Sequence, residues 1–375
     1  MASSLQNKRV LLVCTTVGIG GTERIVLSLA RELAARQVCV RTLLPDYPDI
    51  SIALSWFHNE GVYPDTSIAI HPFRNPLNGL RLMSELRRYV RVSGADVVNL
   101  HYGGCQVSLK DVLAVRMAGR VRCVATVHHA VPICTERDRR INRLAARLAH
   151  RIVVTTDVSK SLLQAAGVPA DKIEIIPCGV PIPSRFPSRV ETRQSWGIPT
   201  DAFVVGSLAR LMPHKGMADL IRAASRVPDP EGKLRLVIGG DGPERPILES
   251  LAASLLKERA LFVGRVKEAS EVYAAADVFA LASYEEGFGL VFIEAALQGV
   301  PSIGTDVGGV SRAILDNETG LLVPSGNPEA MAAAITRLRD DPDLRRRLGE
   351  KARTRAHAEF SEKIMVDRYA KVLGL

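Results

Sequence analysis

A proline-rich stretch divides a chain that otherwise alternates strand-like and helix-like apolar patterns, and this punctuation restricts the fold more than any other feature. Pro177, Pro181, Pro183 and Pro187, with Gly179 among them, carry no hydrophobic periodicity and read as a linker. Ahead of it, short apolar runs at residues 10–15, 39–44, 97–100, 121–127, 152–155 and 173–176 predict strands, with a helix over 22–36. Beyond it the pattern restarts, with strands expected at 203–207, 234–239, 261–263, 278–282, 301–303 and 321–323. Strands separated by helices build parallel sheets covered on both faces. The expected architecture is α/β, with two tandem Rossmann-like doubly wound domains facing a cleft. At 375 residues the chain gives each domain enough length for its own core.

Chemistry concentrates after the linker. Ser283-Tyr284-Glu285-Glu286-Gly287-Phe288-Gly289-Leu290 runs into Val291-Phe292-Ile293-Glu294, a glycine-rich turn that opens an amphipathic helix between two carboxylates. The unpaired N–H groups of Phe288, Gly289 and Leu290 at a helix start suit a diphosphate. Glu294, inside the helix, can accept hydrogen bonds from a ribose diol, and Glu286 can face a second polyol. The plainer alternative is a turn whose glutamates are merely solvated. About eighty residues upstream, Val204-Val205-Gly206-Ser207-Leu208 predicts a strand that ends in Ala209-Arg210-Leu211-Met212-Pro213-His214-Lys215-Gly216. Arg210 offers a fork of donors and Lys215 a compact charge, a pair suited to neutralising a diphosphate without a divalent metal. Two exposed surface cations would be the ordinary alternative. Ligands in open α/β sheets sit at the carboxyl ends of strands, where these residues fall.

With these segments the chain resembles the family 4 retaining glycosyltransferases of GT-B fold. Gly20-Gly21-Thr22-Glu23, Ala125-Thr126-Val127-His128-His129, Gly239-Gly240-Asp241-Gly242-Pro243-Glu244, Phe262-Val263-Gly264-Arg265-Val266, Gly304-Thr305-Asp306-Val307-Gly308-Gly309 and Gly320-Leu321-Leu322-Val323-Pro324 extend the resemblance over most of the length. It implies an acceptor-binding domain at residues 1–183 and a nucleotide-sugar donor domain at 184–359, with the last helix, 360–375, crossing back to the first. It implies catalytic roles for Glu286, His128, Lys215 and Arg210. Donor-binding residues would be Gly20, Gly21, Gly206, Arg210, Lys215, Val266, Glu286, Phe288, Gly289, Leu290 and Glu294. Among these Val266 would lie near the base, and His128, with His129 as its nearby competitor, would meet a donor or acceptor hydroxyl. His101 ends another strand and reads as a core histidine.

The resemblance implies transfer of a glycosyl group from a nucleoside diphosphate sugar, expected to be a UDP-sugar, with retention. Attack would come from the front face, assisted by the departing phosphate, and closure of the domains over the linker would exclude water. No cofactor is expected. Asp341-Pro342-Asp343 formally spells a metal-binding DxD, but it precedes a charged helical run, so capping explains it better. Two rivals are a sugar-nucleotide epimerase on the same scaffold and a non-catalytic sugar-nucleotide or glycan binder. A dinucleotide oxidoreductase is disfavoured because Gly18-Ile19-Gly20-Gly21 lacks the third glycine of its fingerprint.

Charge separates the halves. Residues 1–180 hold 23 Lys and Arg against 14 Asp and Glu, the whole of the net +9. Residues 81–91 and 137–151 concentrate it. On a helical wheel Arg140, Arg143, Arg147 and Arg151 share a face beside Ile141, Leu144, Ala145 and Leu148. Such a helix can lie on an anionic leaflet or simply be solvated. The expected acceptor is therefore a glycan or lipid-linked molecule of the cell envelope or of exopolysaccharide synthesis. The expected location is cytoplasmic, peripheral at the inner face of the plasma membrane. Aromatic content of 5% and the lack of a recognition motif argue against nucleic acid. No apolar run approaches the roughly 18 residues of a membrane span. The start, basic and then apolar over residues 10–14, imitates a leader but reads as a buried first strand. The six cysteines, at 14, 39, 105, 123, 134 and 178, have no zinc-ligand spacing and read as small core residues of a reduced protein.

Overall fold

The structure, a computed structural model, describes residues 8–16, 20–46, 50–68, 76–104, 107–129, 135–266 and 268–375. Gly18, Ile19, Cys105 and Cys134 lie outside these. The chain divides into two compact units, Met1–Pro181 with Glu362–Leu375, and Ile182–Ser361.

The first unit begins β1 (Arg9–Cys14), α1 (Gly21–Ala35), β2 (Cys39–Leu43), α2 (Ile50–Asn59), α3 (Pro76–Ser93) and β3 (Val97–Tyr102). It continues α4 (Leu109–Ala118), β4 (Arg122–Val127), α5 (Glu136–Leu148), β5 (Arg151–Val154), α6 (Asp157–Ala165) and β6 (Ile173–Ile175). The second unit holds α7 (Arg189–Ser195), β7 (Phe203–Leu208), α8 (Met217–Arg226), β8 (Leu234–Gly239), α9 (Arg245–Leu255), β9 (Ala260–Gly264), α10 (Ala269–Ala275) and β10 (Val278–Leu281). It ends with α11 (Leu290–Leu297), β11 (Ser302–Thr305), α12 (Val310–Ala313), β12 (Gly320–Val323), α13 (Pro328–Asp340) and α14 (Pro342–Glu359), before α15 (Glu362–Leu373) returns to the first unit.

Each unit carries one six-stranded parallel sheet, ordered β2-β1-β3-β4-β5-β6 in the first and β12-β11-β10-β7-β8-β9 in the second. Helices cover both faces, so central strands are buried throughout; every residue of β3 and of β10 is buried. Each fully buried Val, Leu or Ile contributes about 1.5–3 kcal/mol of transfer free energy. The winding direction reverses between β1 and β3 in one sheet and between β7 and β10 in the other. In doubly wound sheets the crevice at such a reversal is where ligands sit.

Two expectations need correction. Arg151 is not on the basic helix: α5 stops at Leu148, and Arg151 is the first residue of β5. The buried stripe of α5 is Asn142, Ala145 and Ala146, while Leu144 is 46% exposed. The outward face is therefore Arg137, Arg140, Leu144 and Arg147. The last helix begins at Glu362, not Phe360, which terminates α14 and packs its ring on Phe288 within the second unit. On α15, Met365, Val366, Tyr369 and Leu373 are buried, and Arg36 holds Asp367 at 2.7 Å. Cys14, Cys123 and Cys178 are buried and outside any disulfide, whereas Cys39 is exposed.

Candidate functional site

In the second sheet the loops leaving β8, β7, β10 and β11 follow one another in the same order as their strands, and each is stitched to the next by backbone. Ala209 N–H donates to the Gly239 carbonyl at 3.2 Å, and Leu211 N–H to the Asp241 carbonyl at 3.0 Å. Tyr284 N–H donates to the His214 carbonyl at 2.8 Å, and Gly309 N–H to the Glu286 carbonyl at 3.1 Å. Two glycines make the last approaches possible. Gly216 has φ +62°, and a Cβ there would stand 1.9 Å from the Ala282 carbonyl oxygen; Gly308 has φ +53° and the same conflict with Glu286 O. Only glycine as a residue type combines that backbone with that proximity, and Gly240, at φ +111° and 1.9 Å from Ala209 O, is a third case.

This stitching fixes the side chains at the β7/β10 reversal. Lys215 Nζ meets Glu286 Oε2 at 2.7 Å, with both groups mostly buried. Arg210 is exposed, without an ion-pair partner among the described residues. Its charge, with those of Lys215, Glu285 and Glu286, acts on His214, whose pKa is lowered by burial first and then by Lys215. These five groups therefore share one local field. Gly289, with φ +83°, caps α11, and among the described residues no acceptor meets the amides of Phe288, Gly289 or Leu290. Free N–H groups at a helix mouth beside two cations make an anion site. One turn into α11, Glu294 accepts from the Tyr273 hydroxyl at 2.6 Å, which fixes its carboxylate. Tyr284 is tied down by its hydroxyl bond to the buried Asp219 at 2.7 Å, and Asp219 also receives Arg222 at 3.0 Å.

In the first unit two buried histidines stand on the neighbouring strands β3 and β4. His101, one residue before the end of β3, has no exposure, and His128, just after β4, has 8%. His101 Nδ1 and His128 Nε2 lie 3.0 Å apart, a histidine pair that strand spacing alone did not announce. Burial lowers the pKa of both, His128 to about 4. Beneath them the Thr126 hydroxyl donates to Asn99 Oδ1 at 3.0 Å.

Residues 188–355 match the model of the glycosyl transferases group 1, and residues 19–182 that of glycosyltransferase family 4. The chain is a family 4 glycosyltransferase. N-acetyl-alpha-D-glucosaminyl L-malate synthase of Bacillus anthracis is 27% identical over 367 residues, 94% of this chain and 93% of that protein. D-inositol 3-phosphate glycosyltransferase of Nocardia farcinica is 32% identical over 277 residues, which span 68% of this chain and 61% of its relative. Among solved structures, Anabaena HepE in complex with UDP and glucose superposes with a TM-score of 0.82 at 21% identity, over 98% of this chain and all of that one. The shared architecture is the GT-B fold.

Against this frame, two glycines of the glycosyltransferase leave the list of expected donor contacts. Gly206 lies in the middle of β7, and a Cβ there would meet Ala276 Cβ at 2.8 Å; the missing side chain admits α10, not a ligand. Gly20 has its N–H engaged by Glu23 Oε2 at 2.9 Å, which caps the start of α1. Glu23 is itself buried, receives the Thr16 hydroxyl, and has its pKa raised by burial. Gly21 opens α1. Val266 follows the edge strand β9 and is half-buried. The Phe288 side chain is buried against Phe360, so only its backbone faces the loop cluster. Asp341 caps α14, accepting from Leu344 N–H at 2.8 Å. Tyr273, Asp219 and Tyr284 went unread in the sequence, since each acts on a residue far away along the chain.

Proposed function

We propose that this glycosyltransferase moves a sugar from a nucleoside diphosphate sugar, a UDP-sugar, to a glycan or lipid-linked acceptor of the cell envelope or of an exopolysaccharide, with retention at the anomeric carbon. The observation that carries the reading is the loop cluster at the β7/β10 reversal: a fixed Lys215–Glu286 pair, an unpaired Arg210 and free amides at the mouth of α11. The second unit binds donor and the first binds acceptor. Arg210, Lys215 and the amides of Phe288, Gly289 and Leu290 receive the diphosphate, Glu294 the ribose diol, the backbone near Val266 the base, and Glu286 the sugar. Gly21 and His128, in the first unit, approach the donor sugar or the acceptor.

In the reaction the bond from the anomeric carbon to the β-phosphate oxygen breaks and its electron pair stays on that oxygen. The acceptor hydroxyl attacks the same face and its proton passes to the departing phosphate. Charge growing on the phosphate meets cations and N–H dipoles already in place, electrostatic preorganisation being usually the largest catalytic term. Because Arg210 and Lys215 supply the counter-charge, no divalent metal is needed in this scheme.

The membrane reading rests on one surface. Leu80, Arg81, Arg88, Arg91 and Val92 share an exposed face of α3, and Arg137, Arg140, Leu144 and Arg147 one of α5. Each cation near an anionic leaflet contributes about 1 kcal/mol. No helix among the described residues is long and apolar enough to cross a membrane. Anchorage is thus proposed as peripheral, at the inner face of the plasma membrane.

Incubation with a panel of nucleoside diphosphate sugars tests the main reading. One donor should raise the melting temperature and be slowly hydrolysed with release of UDP, and the product anomer should keep the donor's configuration by NMR. A panel in which no donor stabilises the enzyme or releases nucleotide would overturn it. Sedimentation with anionic vesicles, compared with neutral ones, tests the surface.

A further inference from the structure

We infer that His101 sets the tautomer of His128, holding the proton of the second histidine on Nδ1 so that it presents a neutral N–H donor to the sugar substrates. The inference rests on the reading of His128 as a substrate contact, and makes His101 a positioning residue.

The backbones of both histidines are immobilised. Thr15 donates to the His101 carbonyl through both its N–H and its hydroxyl, each at 2.9 Å. His128 N–H donates to the Tyr102 carbonyl at 2.9 Å, and its own carbonyl accepts from the Thr155 hydroxyl at 3.1 Å. The rings lie nearly parallel, 18° apart with centroids at 5.3 Å, and a third ring, Tyr369 of α15, closes over His101 at 6.4 Å. Between His101 Nδ1 and His128 Nε2, at 3.0 Å, there is room for one proton.

Two neutral arrangements satisfy that bond. If His128 donates from Nε2, the proton of His101 must sit on its own Nε2. That atom is buried with no hydrogen-bond partner among the described residues. A buried N–H with nothing to accept it is the rarer and more costly defect, an unsatisfied acceptor the more tolerated one. If His101 donates from Nδ1, its Nε2 is a bare lone pair, and the orphan donor vanishes. His128 then accepts at Nε2 and carries its proton on Nδ1. His101 has no exposure, whereas His128 keeps a small opening to solvent. Burial holds the pair uncharged at neutral pH, so the outward N–H is a dipole and not a cation. A neutral donor can grip a sugar hydroxyl without drawing phosphate to itself.

Long-range nitrogen–proton NMR on enzyme labelled with nitrogen-15 histidine reads the tautomer directly. Wild type should show His128 protonated on Nδ1. His101→Asn keeps an N–H near the Nδ1 position and should preserve both that signature and turnover within a few-fold. His101→Asp offers only an acceptor and should shift the His128 proton to Nε2, with turnover falling at least tenfold. A wild-type His128 protonated on Nε2 overturns the inference without any variant having to fold. The expected tautomer shift in His101→Asp with normal turnover would instead remove the reading of His128 as a substrate contact.

Discussion

The two sheets of this enzyme are built to one plan and treat polar groups at the carboxyl ends of their strands in opposite ways. In the second unit the loops after β7 and β10 carry formal charges that stay partly in contact with water, and backbone stitching places them. In the first unit His101, near the end of β3, and His128, just after β4, are uncharged, buried and positioned by a hydrogen bond to each other. The difference follows from the cost of burial. A charge taken fully out of water needs a partner that repays its desolvation, whereas a neutral imidazole needs only one good hydrogen bond. The cations of the second unit therefore stay near solvent, and the imidazoles of the first can be dry.

The contrast breaks most visibly at Gly216. Gly216→Ala combines left-handed strain with overlap on a backbone carbonyl, and should cost about 3–5 kcal/mol in urea unfolding. Gly232→Ala, at φ +65° with nothing within 4 Å, should cost only about 1 kcal/mol. Equal losses would show that the stitching is not what Gly216 provides.

Lys215→Ala separates charge from scaffold. Turnover should fall about 100- to 1,000-fold with the fold intact. Glu294→Ala should instead raise the donor KM about 10- to 100-fold, as charge-assisted hydrogen bonds to ribose are lost. Steady-state kinetics distinguishes the two, and normal turnover in both variants would remove these assignments.

Acid tests the dry pair. A histidine whose folded pKa is depressed adds stability that is complete above the unfolded value near 6.5 and is lost as pH falls toward the folded value, about 4 for His128. The buried Asp111 carboxyl, raised to about 6 by burial, works in the opposite direction over part of that range. The comparison is therefore between wild type and the double variant His101→Phe/His128→Phe. Wild type should lose up to about 3 kcal/mol relative to the double variant between pH 7 and 4.5, measured by thermal unfolding. A smaller effect is expected at Tyr284→Phe. It removes one hydroxyl bond to Asp219 while Arg222 remains, costing about 1 kcal/mol and a few-fold in turnover.

These regions also differ in how far a linear reading reaches. The second-unit site was legible because its parts are local: a strand, two cations within six residues, and a glycine turn opening a helix. Strand positions and the proline-rich break were legible for the same reason, since period and proline act on near neighbours. The histidine pair was not, because it depends on β3 lying beside β4. A signal was present all the same: Asn99 and His101, and Thr126 and His128, alternate with apolar residues at a period of two, which places each pair on one face of its strand. Arg151 was misplaced because the arginine run outlasts the helix; Ala149 turns extended and the backbone enters β5. Gly206 looked like a ligand contact because a glycine that admits a neighbour and one that admits a substrate are identical in sequence.

Titration calorimetry of UDP in the presence of EDTA, on wild type and on Lys215→Ala, tests most directly whether the β7/β10 loops hold a diphosphate by their own charges. Binding that survives EDTA in wild type and weakens at least tenfold in Lys215→Ala is the predicted result. Binding that disappears with EDTA, or that is indifferent to Lys215, would contradict it.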